Sequence, residues 1–271
     1  HATLSHYNTL GWSALGNSRA VPASGLQFDF VPIVWLGDNE RGLCWFAEST
    51  QGWSLDESVK PIEIVRDGAR TILRIRLVTK PLTLRGERTI TFGLMATPVK
   101  PLPADWQHWR VGKRFTLAWF NAWTDSNSNP LQVKPQFKEV VAGAHKQGTP
   151  IVAYQFLHWL KASAPEARYY QAEWQPHPPA PALDDVENPM IAVCTGSHWP
   201  DMLVYALAKL MDDPGVDGVY MDGAVGYQCS NVAHGHGWRD DNGQWRAQYT
   251  IFALRNFYRR LATAFEDRKK D

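Results

Sequence analysis

An excess of charge of either sign is missing from this chain. Twenty-eight Lys and Arg stand against twenty-seven Asp and Glu, a net charge of +1, and neither sign gathers into a block. That excludes the electrostatic footprint of a nucleic-acid binder or of a protein drawn to an anionic membrane. Also absent is any apolar run near the roughly 20 residues that a bilayer-spanning helix needs. Cysteine is scarce: Cys44, Cys194 and Cys229 lie far apart, which is no disulfide framework, although one pair could form. No Gly-rich phosphate loop, no G-x-S-x-G elbow and no H-E-x-x-H occurs, so no cofactor is expected. The chain opens at His1 without a signal-peptide pattern, so its location has to be read from something else.

What is present is a globular composition, 44% hydrophobic and 20% charged over 271 residues. That suffices for one large domain or two smaller ones with a sizeable core. Thirteen Trp and nine Tyr are the oddity. Many belong to a core, but such an excess also suits stacking on the apolar faces of sugar rings.

Along the chain, residues 1–25 are punctuated by Gly, Ser and Pro and read as a lead-in loop with one short strand. From Leu26 the texture is β. Leu26, Phe28 and Phe30 alternate, GDNERG is a turn, and GLCWFAES is the return strand. PIEIVRDGARTILRIRLVTKP predicts a second hairpin around Asp67-Gly68, and ERTITFGLMATPV a further strand. Short strands with no helix between them predict an antiparallel β-sandwich over residues 1–103. After the Pro-rich PVKPLPADW, strands alternate with helical segments, the signature of parallel βα units.

RFTLAWFNAW, PIVAYQFL, MIAVCT and VDGVYMD read as four buried strands. Helices are predicted in PQFKEVVAGAHKQG, in PEARYYQAEW, from Ser197 to Asp213-Pro214-Gly215, and through QWRAQYTIFALRNFYRRLATAFEDRKK. The last of these carries Ile251, Leu254, Tyr258, Leu261 and Phe265 on one stripe. The expectation is a multidomain β plus α/β protein: the sandwich, then over residues 104–271 the N-terminal half of a (β/α)8-type barrel with its first four βα units. A half-barrel leaves raw edges, so the chain is expected to be a fragment.

In a barrel the C-terminal strand ends share one face, where catalytic residues sit. That face would gather Asn121, Trp123 and Asp125, then His158 and Trp159, then Cys194 and Thr195, then Asp222. Asp222 ends an apolar run and opens the loop GAVGYQCSNVAHGHGW, so it is the first candidate for a catalytic carboxylate. Hydrolysis of a glycosidic bond usually needs two carboxyl groups. Asp125, Glu173 and the cluster Asp184, Asp185 and Glu187 all lie in stretches that could reach. The blander reading of each acid is a turn cap or a solvated loop residue. Trp123, His158, Tyr220, Asn231, His234 and Trp238 are expected to shape a carbohydrate site.

Cys229, His234 and His236 form C-x4-H-x-H, ligand types that zinc accepts. The spacing is neither a finger nor a zincin, and His-Gly-His-Gly reads equally as a tight turn, so no metal is assigned to the site.

The segments WLGDNERGLCWFAESTQGW, FGLMATPVKP and DGVYMDG…CSNVAHGHGW…R, in that order, resemble proteins similar to glycoside hydrolase family 123. The resemblance covers most of residues 30–265. It implies an N-terminal β-sandwich followed by a (β/α)8 barrel, a retaining glycosidase, and a secreted or periplasmic setting in polysaccharide degradation. The family uses adjacent Asp and Glu at a barrel strand end, with the substrate's 2-acetamido group as nucleophile. Here Asp222 is followed by Gly223, and the one Asp-Glu pair, Asp56-Glu57, falls in the sandwich. Asp222 carries over as a strand-end carboxylate; the acid partner does not. Two other readings stand beside it: a non-catalytic carbohydrate-binding protein on a degenerate barrel, and a metal-dependent hydrolase using Cys229, His234 and His236.

Overall fold

Period-two patterning over the first hundred residues produces strands. The computed structural model describes residues 2–8, 11–13, 21–38, 40–101, 104, 114–124, 129–180 and 189–268. The strands are β1 (Ala2–Asn8), β2 (Gly11–Ser13), β3 (Leu26–Phe28), β4 (Ile33–Gly37), β5 (Gly42–Phe46), β6 (Ile62–Asp67), β7 (Arg70–Ile75) and β8 (Gly93–Thr97). They pair antiparallel in two sheets, β2-β1-β4-β5-β8 and β3-β6-β7. Val34, Trp45, Trp53, Ile62 and Ile64, drawn from both sheets and the loop between them, form one buried cluster.

Both predicted hairpins turn where expected, in register Gly37 to Gly42 and Asp67 to Arg70, but the first arm of the first is Ile33–Gly37 alone, since Leu26–Phe28 pairs with β6 in the other sheet. In the first, Asp38 Oδ1 accepts from the backbone N–H groups of Glu40 and Arg41, both at 2.9 Å. Gly42 is required there, because a Cβ would lie 2.5 Å from the Trp35 ring.

The chain divides into two compact units, one of His1–Leu102 with Gly237–Ile251, the other of Pro103–His236 with Phe252–Asp271. In the second unit the elements are β9 (Thr116–Ala118), α1 (Phe120–Trp123), α2 (Phe137–Lys146), β10 (Ile151–Phe156), β11 (Trp159–Lys161), α3 (Pro165–Trp174), β12 (Met190–Ala192), α4 (Trp199–Asp212), β13 (Gly218–Asp222) and α5 (Ile251–Glu266). β9, β10 and β13 form a parallel sheet in the order β13-β10-β9, with Phe156 opposite Asp222. Trp123, Phe137, Ile151, Leu157, Trp199, Leu203, Leu207 and Phe257 are buried together in its core.

Several expectations change. Among the described residues there are three parallel strands in an open sheet, not four units of a barrel. Met190–Ala192 pairs antiparallel with Trp159–Lys161 instead; a three-residue apolar strand carries no pattern that selects its partner, and β13 takes the place beside β10. The strand predicted through Trp123 stops at Ala118, and the chain turns into the single helical turn α1. The last helix begins at Ile251. Residues 245–246 pair instead with 238–239, across a turn in which Gly243 has φ 77° and Arg239 lies over the Trp245 ring at 5.6 Å. On α5 it is Phe257, three residues on from Leu254, that is sealed in the core, while Tyr258 stays at the surface. No helix among the described residues is long and apolar enough to cross a membrane.

Candidate functional site

Strand alternation decides what surrounds Asp222. In β13, Tyr220 and Asp222 point to one face, and opposite them in β10 stand Tyr154 and Phe156. The Tyr154 hydroxyl donates to Asp222 Oδ2, and Gly223 N donates to Oδ1 at 2.7 Å. Burial, and then the neighbouring Asp222 carboxylate, push the Tyr154 phenol well above its ordinary range, so it stays a donor. Tyr154 also sits in an aromatic stack, against Trp119 at 4.5 Å on one side and Tyr220 at 5.4 Å on the other. The two outer rings are open to solvent, Trp119 at 55% and Tyr220 at 45%. A carboxylate gripped at the end of a strand therefore adjoins an exposed aromatic face. Tyr154 and Trp119 were not singled out in the sequence, although the alternation Val152, Tyr154, Phe156 marks one face of β10.

The other candidates divide. Asp125 and the acids Asp184, Asp185 and Glu187 lie outside the described residues. Glu173, near the end of α3, accepts from His198 N at 3.1 Å and pairs with His198 Nδ1 at 3.0 Å; no contact among the described residues joins it to Asp222. Trp123 is a core residue, fully buried, its Nε1 donating to Tyr154 O at 3.2 Å. His158 is likewise sealed in, with Val193 O at 3.0 Å from Nδ1 and Val225 O at 2.5 Å from Nε2. Neither can shape a sugar surface from there. Asn231 caps a 3-10 turn, Val232–His234, its Oδ1 accepting from Ala233 N.

Trp238 belongs to the first unit. There it lines a cleft of about 530 Å³ with Trp53, Lys80, Arg88, Arg239 and Asp240. The buried indole N–H groups of Trp53 and Trp238 have no hydrogen-bond partner among the described residues.

His158 carries a pH dependence. Burial pushes the imidazole down to about 4 against the pull of the two carbonyls that face its nitrogens. The unfolded chain then binds a proton at higher pH than the folded one. The stability is complete above about pH 6.5 and is lost as pH falls toward 4, by about 3 kcal/mol in all. Urea titrations at pH 7 and pH 4.5 on the wild type and on His158→Gln check this, with the variant expected to lose less stability over that interval.

His234 joins a second cluster. Cys194, Cys229, His234 and His236 are all buried, and one ligand atom from each lies within 4.8 Å of the others. Cys229 Sγ is 3.5 Å from His234 Nδ1, and Cys194 Sγ is 3.6 Å from His236 Nδ1. The two thiols split: Cys194 beside it, then His234 and His236, draw Cys229 far down, while Cys229 and burial raise Cys194. Burial works against a charged His234, but Cys229 and the Glu173 carbonyl outweigh it and raise the imidazole. The sequence pattern named three of these four. Cys194 comes from the end of β12, 35 residues upstream of Cys229, and its signal was a Cys at a strand end followed by Thr-Gly.

No family model and no curated protein matches the chain. Among solved structures it is similar to the alpha-galactosidase TtGalA from Thermus thermophilus, in complex with stachyose and in complex with p-nitrophenyl alpha-D-galactopyranoside. Both likenesses are at 12% identity and TM-score 0.39, over 86% of this chain and 53% and 50% of those chains. The chain thus spans about half the length of these glycoside hydrolases.

Proposed function

We propose that the second unit carries a glycoside hydrolase site in which Asp222 is a catalytic carboxylate. The observation that carries the reading is Asp222 at the C-terminal end of β13, held by Tyr154 and Gly223 N, beside the exposed rings of Trp119 and Tyr220. An acceptor-only carboxylate, with both oxygens oriented, is suited to stabilise an oxocarbenium-like transition state or to attack it. Exposed aromatic faces suit the apolar faces of a pyranose. The proton for the leaving oxygen would come from a second acid, for which Asp125 and Glu173 remain the candidates. The motif resemblance to family 123-like proteins supports a retaining enzyme and a secreted or periplasmic setting.

A second reading, non-catalytic carbohydrate binding, is favoured by the Trp53–Trp238 cleft of the first unit, where two buried indole donors lack partners among the described residues. A panel of aryl α- and β-glycosides and polysaccharides separates the two. Hydrolysis of at least one member supports the enzyme. Binding without turnover across the panel supports the second reading and removes the first.

A further inference from the structure

We propose that Cys194, Cys229, His234 and His236 hold one zinc ion in a closed, structural site. The inference stands independently of the glycosidase reading.

Two of the six distances between donor atoms are those of a tetrahedron, and the others stay within 4.8 Å. With zinc–sulfur bonds of about 2.3 Å and zinc–nitrogen bonds of about 2.0–2.1 Å, the sulfur–nitrogen edge of a tetrahedral site is about 3.6 Å. The two edges seen here are 3.5 and 3.6 Å. Two thiolates and two neutral imidazoles also cancel the charge of a divalent ion, which is what allows four such groups to be buried together. The S2N2 donor set selects zinc over magnesium, calcium or manganese.

The surroundings are built in the same sense. Gly196 N lies 3.4 Å from Cys194 Sγ, and Asn231 N lies 3.4 Å from Cys229 Sγ. Each sulfur thus receives a backbone N–H from the residue two positions on, which favours the thiolate. His234 turns Nδ1 toward the cluster, and its Nε2 meets Glu173 O at 2.6 Å; a ligating histidine normally donates its other N–H in this way. Trp174 O accepts from Cys194 N at 2.7 Å, so the end of α3 braces both arms. Gly196 leaves room for the ring of His236, since a Cβ there would lie 2.3 Å from Cε1.

Four protein ligands complete the tetrahedron and leave no position for a catalytic water. That argues against the metal-dependent hydrolase. The zinc instead staples the loop after β13, which opens immediately beyond Asp222, to the end of β12 and to α3.

The test is metal analysis of the 271-residue chain, purified under reducing conditions without chelator. We expect about one zinc per chain. Removal with a chelator should lower the melting temperature by about 10 °C or more, and Co2+ added to the stripped protein should give the intense visible absorption of a tetrahedral thiolate site. In Cys229→Ser and His236→Ala the bound zinc should fall at least about tenfold. Should these variants fail to fold, the stripped wild type still decides. No zinc above background together with no tetrahedral cobalt spectrum overturns the proposal. So does a Cys194–Cys229 disulfide in protein that was never exposed to oxidant.

Discussion

Asp222→Asn is expected to lower kcat at least a thousandfold, about 4 kcal/mol of transition-state stabilisation, with carbohydrate affinity changed severalfold at most. The amide fills the same volume and can still accept from Gly223 N through its oxygen, so β13 and its end should fold unaltered. What disappears is the negative charge, which is worth most when positive charge develops on the sugar ring. A loss confined to kcat identifies an interaction made in the transition state, whereas an equal rise in KM would mean simple binding. Tyr154→Phe is the companion variant. It keeps the ring between Trp119 and Tyr220 and deletes only the donor to Oδ2, so a smaller loss is expected. If Asp222→Asn turns over within threefold of the wild type, Asp222 has no part in the chemistry.

Trp199→Ala is expected to cost about 4–5 kcal/mol of folding stability, measured by urea denaturation. Trp199 is the first residue of α4 and is fully buried. Its ring meets Trp174 edge-on at 5.2 Å, and Nε1 donates to Leu157 O at 2.8 Å. Truncation therefore opens a large cavity and strands a buried carbonyl at the C-terminal end of β10, two costs that add. With whole domains stable by about 5–15 kcal/mol, that loss removes from roughly a third to nearly all of the stability, so the urea midpoint should fall steeply. Trp199→Phe keeps most of the packing and forfeits the hydrogen bond, so about 1–2 kcal/mol is expected. A loss below about 1 kcal/mol in the alanine variant would show that α4 is not anchored there.

The elements that could be read in advance are those whose signal is local. The hairpins at Gly37–Gly42 and Asp67–Arg70 follow from turn residues flanked by alternating apolar positions. The helices ending at Gly148 and at Asp213-Pro214-Gly215 follow from 3.6-residue periodicity and a breaker. Asp222 at the end of its strand follows from an apolar run that stops at an acid. By residue type alone, Trp123 and His158 fit sugar contacts. A fully buried tryptophan and one that meets a ligand look alike in a sequence, and only burial separates them.

Residue order and pattern therefore sufficed for the two textures of the chain, for most of its strands and helices, and for the carboxylate at the end of β13. Partnership was settled by the fold alone. That Met190–Ala192 would pair with Trp159–Lys161, that Tyr154 would grip Asp222 from 68 residues away, and that Cys194 would close the cluster begun by Cys229, His234 and His236 depend on register and on which faces are buried together. Those are set by the summed burial of the whole chain, and no short window of residues contains them.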